Sequence, residues 1–105
     1  MVIMDVEDLF AYRRQLRVSD HALREAHKES LRARDVFHAL FNGEVLEHYR
    51  DRQRVLVVGP LAEHRLHLHV VCDYADPHEL VVTTVYIPDK PKWINDQVRA
   101  RFTAP

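Results

Sequence analysis

Two histidines one residue apart, His67 and His69, stand in a stretch that alternates apolar and polar residues, Leu66-His67-Leu68-His69-Val70-Val71-Cys72-Asp73-Tyr74. Imidazole gives and takes protons near neutral pH, so a co-facial pair suits general acid-base chemistry, such as deprotonating a 2′-hydroxyl and protonating a leaving oxygen. Successive strand side chains point to opposite faces, which puts both rings on one face about 6.5 to 7 Å apart. Leu66, Leu68, Val70 and Cys72 share the other face, the one that buries. Folding the chain back through Ala75-Asp76-Pro77-His78 as a four-residue turn pairs Val71 with Val82, His69 with Thr84 and His67 with Tyr86. Two imidazoles, a hydroxyl and a phenol then gather on the polar face.

Three readings fit the histidine pair: an acid-base couple, half of a zinc site, and a solvated strand face. A zinc site needs two further ligands, and His48, Glu47 and Asp73 are the available donors, none at a diagnostic spacing. No cofactor is expected. Tyr86 suits a hydrogen bond to a phosphate or stacking on a base, and equally a half-buried strand tyrosine with a wet hydroxyl. His21 and Glu25 have the i, i+4 spacing of a helical pair, either a tautomer-fixing contact or a surface salt link. Arg13, Arg14 and Arg17 span about one helical turn and are placed either to cradle phosphates or to form a solvated face.

The elements that position these groups follow from periodicity. Asp5 to about Leu16 carries Val6, Leu9, Phe10 and Tyr12 at helical spacing. Ser19 reads as an N-cap with Val18 and Leu23 as a hydrophobic staple, so a second helix is predicted from Asp20 to about Ser30. A third, with Leu31, Val36, Ala39 and Leu40 on one side, stops at Asn42-Gly43 in a left-handed turn. From Glu44 the period changes. Glu44 to Tyr49, Arg54 to Val58, Leu66 to Tyr74 and Leu80 to Ile87 read as four strands, with Gly59-Pro60 breaking the second of them. Short connections favour an antiparallel meander. The predicted fold is α+β, with amino-terminal helices on one face of a four-stranded antiparallel sheet lined by Leu66, Leu68, Val70, Val81, Val85 and Ile87. Trp93, Ile94 and Val98 suggest a short docking helix in the tail.

Composition bounds the function. A chain of 105 residues forms one domain, and 47% hydrophobic with 30% charged residues is too apolar for disorder. No apolar run approaches a membrane span and Met1-Val2-Ile3-Met4-Asp5 lacks the basic start of a signal peptide, so a cytoplasmic protein is the expectation. Cys72 has no partner for an internal disulfide and is expected to be a small buried hydrophobe. A net charge of −1 argues against avid, non-specific nucleic-acid binding, although eight histidines turn the balance positive near pH 6.

Ser19-Asp20-His21-Ala22, Asn42-Gly43-Glu44-Val45-Leu46-Glu47, Leu66-His67-Leu68-His69-Val70-Val71, Val82-Thr83-Thr84-Val85-Tyr86-Ile87-Pro88-Asp89 and Trp93 together carry a resemblance. Across about residues 16 to 93 the chain resembles a bacterial family known as domain of unknown function 4258. Members look like distant relatives of the barnase/RelE-like ribonuclease toxins, which implies a RelE-like arrangement of helices followed by an antiparallel sheet. His21, His69 and Tyr86 match residue types of the family pattern, whereas Arg24 and Glu25 stand in reversed order and Glu29 replaces a basic residue.

Two functions follow as expectations. The first is a toxin-like ribonuclease that cleaves RNA by metal-independent acid-base catalysis, with His67 or His69 moving protons, Tyr86 as donor, His21 as a further candidate and Arg24 as the phosphate clamp. The second is a non-catalytic interaction module of a toxin-antitoxin-type system. RNA or the ribosome, a small protein partner or antitoxin, and a second copy of the chain are the partners these readings imply.

Overall fold

The structure, a computed structural model, describes residues 3–11, 13–62 and 66–88. The tail helix expected around Trp93, Ile94 and Val98 lies outside these residues. Three helices and five strands follow in the order α1 (Val6–Phe10), β1 (Gln15–Val18), α2 (Asp20–Lys28), α3 (Ala33–Phe41), β2 (Glu44–Tyr49), β3 (Arg54–Pro60), β4 (His67–Asp73) and β5 (Glu79–Tyr86), with a 3-10 turn at Arg50–Arg52. The sheet order is β1-β5-β4-β3-β2. All neighbours are antiparallel except β1, which runs parallel to β5. The α+β class therefore holds, while the four-stranded antiparallel sheet is corrected to a five-stranded mixed one. No helix among the described residues is long and apolar enough to cross a membrane.

The amino-terminal stretch departs most from expectation. Asp5 caps α1, its carboxylate accepting from the Asp8 N–H at 3.1 Å, and the Asp8 carboxylate accepts in return from Met4 N and Asp5 N at 2.8 and 3.1 Å. Those two donors hold the Asp8 carboxyl below the usual carboxylate range. The helix ends at Phe10, far short of Leu16. The next residues are drawn into the sheet, where Gln15 N donates to His78 O at 3.1 Å, and Leu16 and Val18 register with Leu80 and Val82. The arginine cluster of a helical turn is dissolved as a result: Arg17 pairs with Glu79 at 2.8 Å, and Arg13 donates to Tyr74 O at 2.8 Å.

Helix α2 starts where expected, the Ser19 Oγ accepting from Ala22 N at 3.1 Å. Helix α3 ends at Phe41, but Asn42 has φ −110° and no glycine has a positive φ, so the left-handed stop does not occur. Gly43 has a packing role instead, since a Cβ there would lie 2.6 Å from Val57 Cγ1. Gly59 is tighter still, for a Cβ would lie 1.8 Å from Ala39 O. Strand β3 accordingly runs through Gly59 and Pro60 rather than breaking there, with Pro60 opposite His67.

All three helices pack on one face of the sheet. Val6, Leu9, Ala22, Ala26, Val36, Ala39 and Leu40 meet Val55, Val57, Leu68, Val70, Cys72, Leu80, Val82 and Val85 in one core. Full burial of a valine or leucine side chain contributes about 1.5–3 kcal/mol. Cys72 is a buried free cysteine, as expected, and burial pushes its thiol up to about 12. Leu66, expected in this core, is exposed, and Val81 is half-buried with its place taken by Leu80 and Val82.

Candidate functional site on the outer face of the sheet

The hairpin of β4 and β5 decides what shares the face away from the helices. Its connection is longer than four residues: Asp73 pairs with Val81, and the intervening loop is held by Ala75 N to Asp73 Oδ1 at 2.9 Å, His78 N to Asp76 Oδ1 at 2.8 Å and Tyr74 N to Gln53 O at 2.9 Å. The pairing then steps from Cys72 and Val82 to Val71 and Thr84, leaving Thr83 as a bulge. The longer turn displaces the register by one residue and the bulge by one more. The sum is even, so the histidines keep the face predicted for them while their partners change. His69 lies opposite Tyr86, not Thr84, and Val71 lies opposite Thr84, not Val82.

This brings His69 and Tyr86 into ring contact, with centroids 5.2 Å apart and planes inclined by 47°. On its other side His69 registers with Val58, and Val58 with Glu44, so a single row across four strands reads Glu44, Val58, His69, Tyr86. His69 is fully buried, and Leu56 and Val58 on the same face are nearly so. His67, at the start of β4, and Tyr86 are half-buried. They occupy diagonal positions of the pair, about 7–8 Å apart between backbones. The outer face is thus not the open, solvated surface that alternation alone suggests.

Apart from Glu44 in this row, the described charges of the face lie toward the opposite end of the strands. Arg54 and Asp73 are 3.5 Å apart, Arg17 and Glu79 2.8 Å, and the Tyr49 hydroxyl donates to the Glu47 carboxylate. Both described arginines of the face are therefore matched by carboxylates.

His21 and Arg24 are on the other side of the sheet. They belong to α2, which packs in the helical layer, and both are exposed. His21 Nε2 lies 3.1 Å from Glu25 Oε1. That same oxygen accepts from Val85 N at 3.3 Å, at the point where β5 continues past the last residue of β1. Glu25 therefore satisfies a backbone donor that no strand covers. The candidate residues of the sequence form two groups: His67, His69 and Tyr86 together, and His21 with Arg24 apart from them.

The suggested extra zinc donors do not converge either. His48 sits on the helical side, its Nε2 2.6 Å from the Tyr74 hydroxyl, and Asp73 is paired with Arg54. Among the described residues no group of three or more His, Cys, Asp or Glu is placed to hold a metal. The His48 and Tyr74 contact was not anticipated, because Tyr74 lies just past the end of β4 and His48 on β2, which only the sheet order β4-β3-β2 brings near. An aromatic cluster was also missed: Phe41 stands 5.0 Å from Phe10 and 6.4 Å from Phe37, with 57% of its surface exposed. The spacing Phe37 and Phe41, i and i+4 on one helix, was the readable signal.

Residues 18–87 of the 105 match a known family, described as a domain of unknown function (DUF4258). No curated protein matches the chain, and no solved structure does.

Proposed function

The chain belongs to the DUF4258 family, and we propose that this member is a small ribonuclease using metal-independent acid-base chemistry on the outer face of its sheet. The observation that carries the reading is the ring contact between His69 and Tyr86, 5.2 Å between centroids, with His67 two residues along on the same face. His67 is the group within reach of substrate and takes the proton of a 2′-hydroxyl. As the O2′–P bond forms and the P–O5′ bond breaks, a proton is delivered to the leaving 5′-oxygen, and the Tyr86 hydroxyl is the donor on this face. Fully buried His69 is a positioning residue that fixes the Tyr86 ring. His21 and Arg24, across the sheet, have no part in this reaction.

Purified protein should cleave single-stranded RNA in the presence of chelator with a bell-shaped pH profile. His67→Ala should lower the rate by about two to four orders of magnitude. Should the protein leave both naked RNA and ribosome-bound message intact, or should the doubly substituted His67→Ala, Tyr86→Phe chain cleave as the parent does, the reading is wrong.

A second reading, a protein-interaction module, is favoured by the Phe41 cluster. Phe41 and Met4 are 57% and 78% exposed, and Asp5 and Glu7 border the groove beside Phe10 and Phe41. Exposed aromatic groups of this kind are enriched at interface centres. Phe41→Ser with Met4→Ser would abolish complex formation with a protein partner, or a concentration-dependent dimer, without touching RNA cleavage.

A further inference from the structure

An RNA strand carries a negative charge at every phosphate, so holding it beside His67 needs positive charge near that end of the sheet. On the outer face the described arginines, Arg17 and Arg54, are each already paired with a carboxylate. Positive charge with no ion-pair partner among the described residues lies instead on the helical side, at the end of the sheet where His67 begins β4 on the outer face. There a cavity of about 470 Å³ opens between the α2–α3 turn and the end of β3, with Arg32, Arg34 and His38 in its wall and Leu61 on its floor.

The backbone holds this wall in place. Ser30 takes φ 61°, and Leu31 N returns to Ala26 O at 2.8 Å, which closes α2 and turns the chain directly into Arg32. Arg34 and His38 are one helical turn apart on α3 and share a face. Among the described residues of the wall the carboxylate is Asp35, which accepts from Arg32 N at 2.8 Å, and the two arginines outweigh its charge. Neither Arg32 nor Arg34 forms an ion pair among the described residues. The cavity and His67 share a strand end, because Leu61 N donates to Leu66 O at 3.2 Å and Pro60 lies opposite His67.

We propose that this cavity is an anion subsite that holds a backbone phosphate of the RNA strand cut at His67. The identity of the ligand rests on the ribonuclease reading. Arg32 and Arg34 supply permanent charge and fork-shaped donors suited to phosphate oxygens, and the His38 ring adds an N–H donor. A domain with net charge −1 can then bind RNA through a local site.

The test uses the whole protein and a fluorescent 2′-O-methyl single-stranded RNA, which lacks the attacking hydroxyl, followed by anisotropy over a salt series. Inorganic pyrophosphate is titrated in parallel. Arg32→Ala with Arg34→Ala should weaken oligonucleotide binding about tenfold or more and flatten the salt slope by about 0.7 for each phosphate left without its arginine. Arg32→Lys with Arg34→Lys should restore part of both. Equal affinity and slope in parent and Ala variant would overturn the subsite, as would binding of pyrophosphate without the oligonucleotide. Arginine-dependent binding with no cleavage of unmodified RNA upholds the subsite and removes the ribonuclease reading. Cleavage indifferent to both arginines does the reverse.

Discussion

Gly59 and Ala39 meet backbone to backbone, so closely that a Cβ at residue 59 would stand 1.8 Å from the Ala39 carbonyl oxygen and 2.7 Å from its Cα. Helix α3 reaches β3 at this point because Gly59 has no side chain to keep the two elements apart. The obstacle met by any substitution is backbone, which cannot rotate away as a side chain end can.

Gly59→Ala should therefore destabilise the fold by about 1–3 kcal/mol or more, read as a lower denaturant midpoint. Ala62→Gly, on the exposed residue beyond β3, is the control and should change little. A Gly59→Ala midpoint equal to the parent's would contradict this helix-sheet contact.

His69 and Tyr86 should be energetically coupled. A double-mutant cycle with His69→Leu and Tyr86→Leu is expected to return about 0.5–1.5 kcal/mol of interaction, the range for packed ring pairs. The same cycle between His69 and Thr84 should return about zero. Coupling to Thr84 in place of Tyr86 would restore the register with a four-residue turn and no bulge.

Glu25 should guard the β5 edge. Glu25→Ala removes the acceptor of the Val85 N–H and should speed exchange of that amide, whereas Glu25→Gln keeps an acceptor oxygen and should preserve most of the protection. Arg24→Ala, on an exposed neighbouring position, should leave the Val85 amide unchanged. Unaltered exchange in Glu25→Ala would show that something else caps this donor.

Cys72 should be silent toward alkylating reagents in the native state at pH 8 and react only on unfolding. Its thiol is raised from 9.0 to about 12 by burial, so in that interval the unfolded chain has lost the proton that the folded chain retains. The stabilising contribution of the neutral thiol is complete below pH 9 and declines as pH rises toward 12. Cys72→Ala should remove this component of the alkaline decline, a difference visible in denaturant midpoints measured across that window.

Where neighbours in sequence decide structure, the sequence could be read. Ser19 caps its own helix, the alternation of Leu68, Val70 and Cys72 picks the buried face of β4, and helices give way to strands at Gly43 as periodicity indicates. Strand β1 escaped because its partner is some sixty residues away and two apolar side chains, Leu16 and Val18, are too short a pattern to compete with the helical spacing before them. The bulge at Thr83 escaped because its stabilisation is tertiary: Thr83 Oγ1 donates to Val71 O and the Ser19 Oγ to Thr83 O, both at 3.3 Å. At the candidate site the same division holds. That His67 and His69 share a face follows from strand alternation, and the distance of His21 and Arg24 from them follows from helices placed beneath the apolar face, whereas Tyr86 keeps the face only because the longer turn and the bulge at Thr83 each shift the register by one.

The pairing of the first strand with the last also sets a timetable for synthesis. β3, β4 and β5 each find their partner in the strand just completed, but Val18 must wait for Val82. At about 5–20 residues per second that wait is roughly 3–13 s on the ribosome. Throughout it, β1 is an unpaired edge able to recruit a stray strand, and Arg14 and Arg17 are the charges that make such recruitment unfavourable. Final docking of β1 closes the longest loop of any strand pair among the described residues, so it belongs among the late events of folding.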